Sequence, residues 1–239
     1  MPSLLEVSDL HVGYGRIEVL RGLSFTVPAG SVVALLGSNG VGKTTTLKAI
    51  SGVLPVTSGS IRFDGKRIDG LPIADIAKRG LVMVPEGRGI FPGLTVEENL
   101  RLIHGSLGGG TEWEAFEDEI VRVFPRLGER FDQQAGSMSG GEQQMLAVSR
   151  VLAGEPKLVM FDELSMGLAP LIIESLFETV AAMRDRGVTI VLVEQFLTHA
   201  LSLADVCYVL SRGVVSWAGD AGELRDGAAA ADYLSASST

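Results

Sequence analysis

Runs that are apolar at every position recur along this chain, separated by stretches of helical character. Val32-Val33-Ala34-Leu35-Leu36 reads as a strand covered on both faces, and Thr45-Thr46-Leu47-Lys48-Ala49-Ile50, just beyond it, reads as a helix. Leu81-Val82-Met83-Val84, Leu158-Val159-Met160-Phe161 and Val188-Thr189-Ile190-Val191-Leu192-Val193 supply further continuous strands, each reached after a helical segment. The first quarter differs. Leu23-Ser24-Phe25-Thr26-Val27 alternates apolar and polar, as half-buried antiparallel strands do, and Ile61 to Ile68 reads as a hairpin turning at Asp64-Gly65. From about residue 95 to 153 the pattern is helical, with Gly108-Gly109-Gly110 marking a loop. The expected fold class is α/β, with a mostly parallel sheet, an N-terminal antiparallel β lobe and an inserted helical lobe. One domain spans residues 1–239, with the core and antiparallel lobe at about 1–85 and 156–239 and the helical lobe at about 86–155.

Composition is compatible with one large domain carrying an insertion. The chain has 239 residues, of which 46% are hydrophobic, enough for a sizeable core. No run approaches the roughly 18 apolar residues a membrane span needs. The start, Met1-Pro2-Ser3-Leu4, lacks the basic and then apolar regions of a signal peptide, so the chain is expected in the cytosol. Net charge is -9 with no basic cluster, which argues against nucleic acid as a partner. Cys207 is the only cysteine, which excludes an intramolecular disulfide and a zinc cluster, and its apolar surroundings read as a buried strand.

The first candidate chemistry lies between the Val32 strand and the helix after it. Gly37-Ser38-Asn39-Gly40-Val41-Gly42-Lys43-Thr44 is a full match to the phosphate-binding pattern GxxxxGK[ST], in the strand-loop-helix context that pattern requires. Its glycines let successive N–H groups curl inward toward phosphate oxygens, Thr45 continues the helix start, and the helix dipole favours an anion there. Lys43 reads as the cation for the β- and γ-phosphates and Thr44 as a magnesium ligand. The loop alone says only that a nucleoside triphosphate binds. Asp162 and Glu163 end the Leu158 strand, where a first acid can hold Mg2+ and a second can orient or deprotonate water; taken alone, such a pair fits a solvated turn equally well. Ser139 stands three residues before Glu142, the spacing of a helix capping box, as do Thr95 and Glu98.

Met138-Ser139-Gly140-Gly141-Glu142, together with the loop and the acids, resembles the signature of the nucleotide-binding subunits of ATP-binding cassette transporters, and the resemblance covers essentially the whole length. It implies a P-loop NTPase core, ATP and Mg2+ as ligands, and a nucleotide shared between two subunits. One subunit would contribute Lys43, Thr44 and Asp162, and the other Ser139, Gly140, Gly141 and Glu142. Tyr14 falls where an aromatic ring stacks on adenine. Glu86 stands where the family usually has Gln, at a magnesium and water contact, and Gln195 where it usually has His, at a γ-phosphate contact. Gln can donate as His does but cannot titrate, so no rate-controlling histidine ionisation is expected there. His199, one helical turn on, reads as structural. Ser165-Met166-Gly167-Leu168-Ala169 occupies the loop that crosses to the other subunit, with Ala169 for the usual Asp and Leu164 for a frequent Pro.

Pro85-Glu86-Gly87-Arg88, Glu142-Gln143-Gln144 and Val193-Glu194-Gln195 narrow the resemblance to the shorter ATP-binding subunit of bacterial branched-chain amino acid importers. Urea and amide importers have close sequences. The resemblance implies a second cassette subunit, sister or self, two transmembrane permease subunits and a periplasmic or extracellular solute-binding protein. It also implies a peripheral position on the cytoplasmic face of the inner or plasma membrane. A soluble P-loop kinase would share Gly37 to Thr44 but has no use for the Ser139 segment. Cassette ATPases acting on DNA or ribosomes usually carry coiled-coil insertions or two cassettes, and this chain has neither.

Overall fold

The computed structural model describes residues 2–106, 112–154, 156–194 and 197–225; Gln195 and the Gly108–Gly110 run lie outside them. The chain opens with a hairpin of β1 (Ser3–Tyr14) and β2 (Ile17–Pro28), continues through β3 (Val32–Leu36) and α1 (Lys43–Ile50), and returns to the first sheet with β4 (Ser58–Phe63) and β5 (Lys66–Arg67). After α2 (Ile73–Ala77) and β6 (Leu81–Val84) come the helices α3 (Val96–Ser106), α4 (Trp113–Val123), α5 (Pro125–Gly128) and α6 (Gly140–Ser149). The order then alternates: β7 (Leu158–Asp162), α7 (Pro170–Asp185), β8 (Thr189–Val193), α8 (Leu197–Leu203), β9 (Val206–Ser211), β10 (Val214–Asp220) and α9 (Ala221–Arg225).

Two sheets result. The four-stranded one, in order β2-β1-β4-β5, is antiparallel throughout. The six-stranded one runs β10-β9-β3-β8-β7-β6, parallel except for β10 at its edge. The hairpin at Asp64-Gly65 is observed, with φ of 51° and 70° at the two residues, the left-handed pair that a tight two-residue β turn needs. Residues 95–153 supply α3 to α6, and Thr95 and Glu98 cap α3 reciprocally. Val188 precedes rather than opens its strand, which starts at Thr189.

The continuous apolar runs are explained by two cores on opposite faces of the parallel sheet. Val32, Ala34 and Leu36 of β3, Val159 and Phe161 of β7, and Ile190 and Leu192 of β8 face the helices. Val33, Leu35, Leu158, Met160, Val191 and Val193 face α1 and the antiparallel sheet. A strand with a core on each side has no polar face to show. In β2, by contrast, Leu23, Phe25 and Val27 are buried while Ser24 and Thr26 are exposed. Cys207 is fully buried in β9, and burial pushes its thiol up to about 12. No helix among the described residues is long and apolar enough to cross a membrane.

Candidate functional site

The β3–α1 turn is shaped by its glycines. Gly37 has φ 153° and a Cβ there would stand 2.7 Å from the Leu210 carbonyl oxygen; Gly42, at φ 111°, would bring a Cβ within 2.6 Å of Leu20 Cδ2. Both backbone conformations are ones that side chains rarely adopt, and at Gly37 the Leu210 carbonyl leaves no room for a Cβ as well. Lys43, 4% exposed, donates from Nζ to the carbonyls of Gly37 at 2.8 Å and Ser38 at 3.1 Å, so its ammonium spans the mouth of the loop. Burial pushes it below its ordinary value, against the opposing pull of Glu163, Asp162, Glu194 and Glu86.

Asp162 ends β7, 2% exposed, and accepts a hydrogen bond from the Thr44 hydroxyl at 3.0 Å. Burial raises its carboxyl to about 6, helped by Glu86 and Glu163 and opposed by the Thr44 bond. Glu163 follows with φ 52°, a conformation that few side chains adopt, and its N–H donates to the Val193 carbonyl at 2.9 Å. A pocket of about 420 Å³ gathers Tyr14, Asn39, Gly40, Gly42, Lys43, Thr44, Thr45, Glu86 and Glu163, with Val19 and Met166. Tyr14, 46% exposed at the β1–β2 turn, forms its outer wall. Gly37, Ser38 and Val41 belong to the same loop but do not line the pocket.

The Ser139 segment does not join this pocket. Ser139 caps α6: its hydroxyl accepts from the Glu142 N–H at 3.3 Å, while the Glu142 carboxylate takes the Ser139 N–H at 2.9 Å. Burial works against ionisation of Glu142, but the Ser139 bonds and Arg130, 2.9 Å away, outweigh it and hold its carboxyl below the usual range. Both glycines have side chains packed close against them. A Cβ on Gly140 would stand 3.1 Å from Arg88 Nη2, and one on Gly141 would stand 2.9 Å from Ile172 Cγ2 of α7.

The family model for ABC transporters matches residues 20–165, from within β2 to just past Asp162 and Glu163. The chain belongs to the ABC transporter family. It is 45% identical over 210 residues to the high-affinity branched-chain amino acid transport ATP-binding protein BraG of Pseudomonas aeruginosa, covering 88% of this chain and 90% of that one. A probable branched-chain amino acid transport ATP-binding protein, LivF, of Archaeoglobus fulgidus is 35% identical over 225 residues, covering 92% and 94%. Among solved structures, the ADP conformation of an ATP-binding cassette of an ABC transporter superposes with a TM-score of 0.85 at 25% identity, covering 99% and 98%. This ABC subunit therefore binds and hydrolyses ATP.

The motifs contained Arg88 and Glu194 without revealing their contacts, and Arg150 stood in no motif. Arg88, beyond Glu86, donates from Nη1 to Gln143 Oε1 on α6, and Arg150 Nη2 donates to the carbonyls of Arg88 at 2.8 Å and Gly89 at 3.0 Å. The loop after Glu86 is thus stapled to the helix that Ser139 caps. Glu194, only 1% exposed, accepts from Ser165. A charged residue ending the apolar β8 was the one clue to it. The ring of His199 packs 5.4 Å from that of Phe177. An apolar groove of about 570 Å³ runs between core and helical lobe, bordered by the exposed Val53, Ile73, Phe91 and Leu102.

Proposed function

We propose that this subunit powers a branched-chain amino acid importer by closing, on ATP, against a second cassette chain that is either a copy of itself or a sister. The separation of Ser139-Gly140-Gly141 from the Lys43 pocket carries this reading. A capped helix start with two glycines is an anion site, yet this one faces no phosphate loop within its own chain. A partner's nucleotide would occupy it, and this chain's own nucleotide would in turn be covered by the partner's signature segment. Identity to two branched-chain amino acid transport ATP-binding proteins supports the solute class. The cassette would be one domain, with residues of about 86–155 as its helical lobe. It would sit peripherally on the cytoplasmic membrane face beneath two permease subunits fed by a solute-binding protein, with no nucleic acid involved.

In this reading Tyr14 stacks on adenine. The N–H groups of Gly37 to Thr45, with Lys43, hold the phosphates, and Glu142 keeps the signature helix capped. Among the described residues no three His, Cys, Asp or Glu are grouped to hold a metal alone. Thr44 and Asp162 offer two hard oxygens with Glu86 near, which fits Mg2+, an ion that takes one or two protein oxygens and completes its shell with phosphates and water. Mg2+ bound there would offset charge on the β- and γ-phosphates. Glu163 orients or deprotonates the attacking water, and Gln195 donates to the γ-phosphate. Because ion binding needs the ionised Asp162, whose carboxyl stands near 6, Mg2+ affinity of the nucleotide-loaded chain should fall about tenfold from pH 7 to pH 5. Metal titration at the two pH values checks this.

The groove beside Phe91 is our dock for a permease helix. Replacing Phe91, 56% exposed, by Asp should abolish solute uptake in reconstituted vesicles while the purified subunit still hydrolyses ATP. Unchanged uptake would remove Phe91 from the interface.

A further inference from the structure

We infer that Glu194 is a positioning residue for ATP hydrolysis, its buried carboxylate fixing the turn that carries Glu163. Glu194 is 1% exposed and Ser165 2% exposed. The Ser165 N–H donates to Glu194 Oε1 at 3.0 Å, and the Ser165 hydroxyl donates to Oε2 at 2.7 Å. Beside them the Glu163 N–H donates to the Val193 carbonyl at 2.9 Å. The segment from Glu163 to Ser165 is therefore fastened to the end of β8 at three points. The first fixes the backbone of Glu163 and the other two fix the residue two positions beyond it.

Such fastening is needed because Glu163 has φ 52°. A left-handed conformation at a residue other than glycine is costly and persists only where the surroundings over-determine it. An acceptor with two oxygens and no proton suits the task, since Ser165 presents two donors and a carboxylate can take both at once. Leu164, between them, is 1% exposed and anchors the turn from the apolar side. On the far side of the turn Met166 lines the nucleotide pocket, so displacement of Ser165 would move the pocket wall as well as Glu163. Burying a carboxylate is costly, and here its two bonds hold Ser165, two positions beyond Glu163, in place.

The inference rests on Glu163 as the water-activating group, and the test separates the two. In the full chain, in the assembly in which it hydrolyses ATP, Glu194→Ala should lower kcat by about tenfold or more with the half-saturating ATP concentration nearly unchanged, since misplacement, not lost binding, is the defect. Glu194→Gln keeps an acceptor for the Ser165 N–H and offers Nε2 to the Ser165 oxygen, so it should retain most of kcat. Ser165→Ala should show the same kcat-only defect in milder form, and it carries the test alone if Glu194→Ala does not fold. Native turnover in Glu194→Ala, equal losses in kcat and ATP affinity, or a Glu194→Gln variant as poor as Glu194→Ala would each overturn the positioning role. Glu163→Gln is measured alongside: native turnover there would sink the base assignment itself, whereas an inactive Glu163→Gln beside a fully active Glu194→Ala would sink only this inference.

Discussion

Glu163→Gln should leave ATP binding intact, reduce phosphate release by about a hundredfold or more, and accumulate an ATP-bound pair of chains. The substitution keeps the volume and one oxygen of the side chain but removes both the base and a negative charge beside the γ-phosphate. Fold and turn should survive, because the left-handed backbone of Glu163 is held by its N–H to the Val193 carbonyl rather than by its carboxylate. Charge also favours closure: Lys43 faces Glu163, Asp162, Glu194 and Glu86, and removing one carboxylate lowers the repulsion that an incoming triphosphate meets. Light scattering with ATP, with and without Mg2+, would report the pair, and steady-state phosphate release the rate. A variant that turned over ATP at the native rate would end the base assignment.

Lys43→Ala should weaken ATP binding by at least about a hundredfold and leave no measurable hydrolysis, because charge-assisted hydrogen bonds of roughly 1.5–3 kcal/mol each are lost to phosphate oxygens. Lys43 is buried and ties together the carbonyls of Gly37 and Ser38, so the empty loop also loses its internal brace. Glu86 and Glu163, which line the pocket, would then repel the phosphates without the Lys43 charge to offset them. Lys43→Arg should rescue poorly: a planar fork cannot replace a compact ammonium between two carbonyls 2.8 and 3.1 Å from Nζ. Fluorescent-nucleotide titration measures the loss, with circular dichroism to check folding. Near-native affinity in Lys43→Ala would remove Lys43 from the phosphate site.

Much of the site was legible because its parts are local in sequence. A strand, a glycine turn and a helix start are consecutive residues, and the backbone geometry of Gly37 to Thr44 follows from them. Both capping boxes, Ser139 with Glu142 and Thr95 with Glu98, were readable for the same reason, since each closes within four residues. The Asp64-Gly65 turn is another such case. The contacts of Arg88, Arg150 and Glu194 were not legible. Their partners lie 55, 62 and 29 residues away, and no local pattern marks an arginine that holds a carbonyl or a carboxylate that holds a serine.

The sequence by itself determined the class of ligand, the strand-and-helix order, the cassette family, and the residue types that meet the phosphates. All of these are written in short windows where backbone propensity and side-chain chemistry act together. Only the tertiary structure decided which windows meet. The order β3-β8-β7 sets Asp162 opposite Thr44 across an intervening strand and buries it, which lifts its carboxyl toward neutrality. The same order brings the end of β8 against the turn after β7, so that Glu194 reaches Ser165. It also leaves the Ser139 helix start outside the pocket of its own chain. Burial and distance are properties of the packed sheet and helices, not of any single stretch of chain, so no pattern of neighbouring residues could have supplied them.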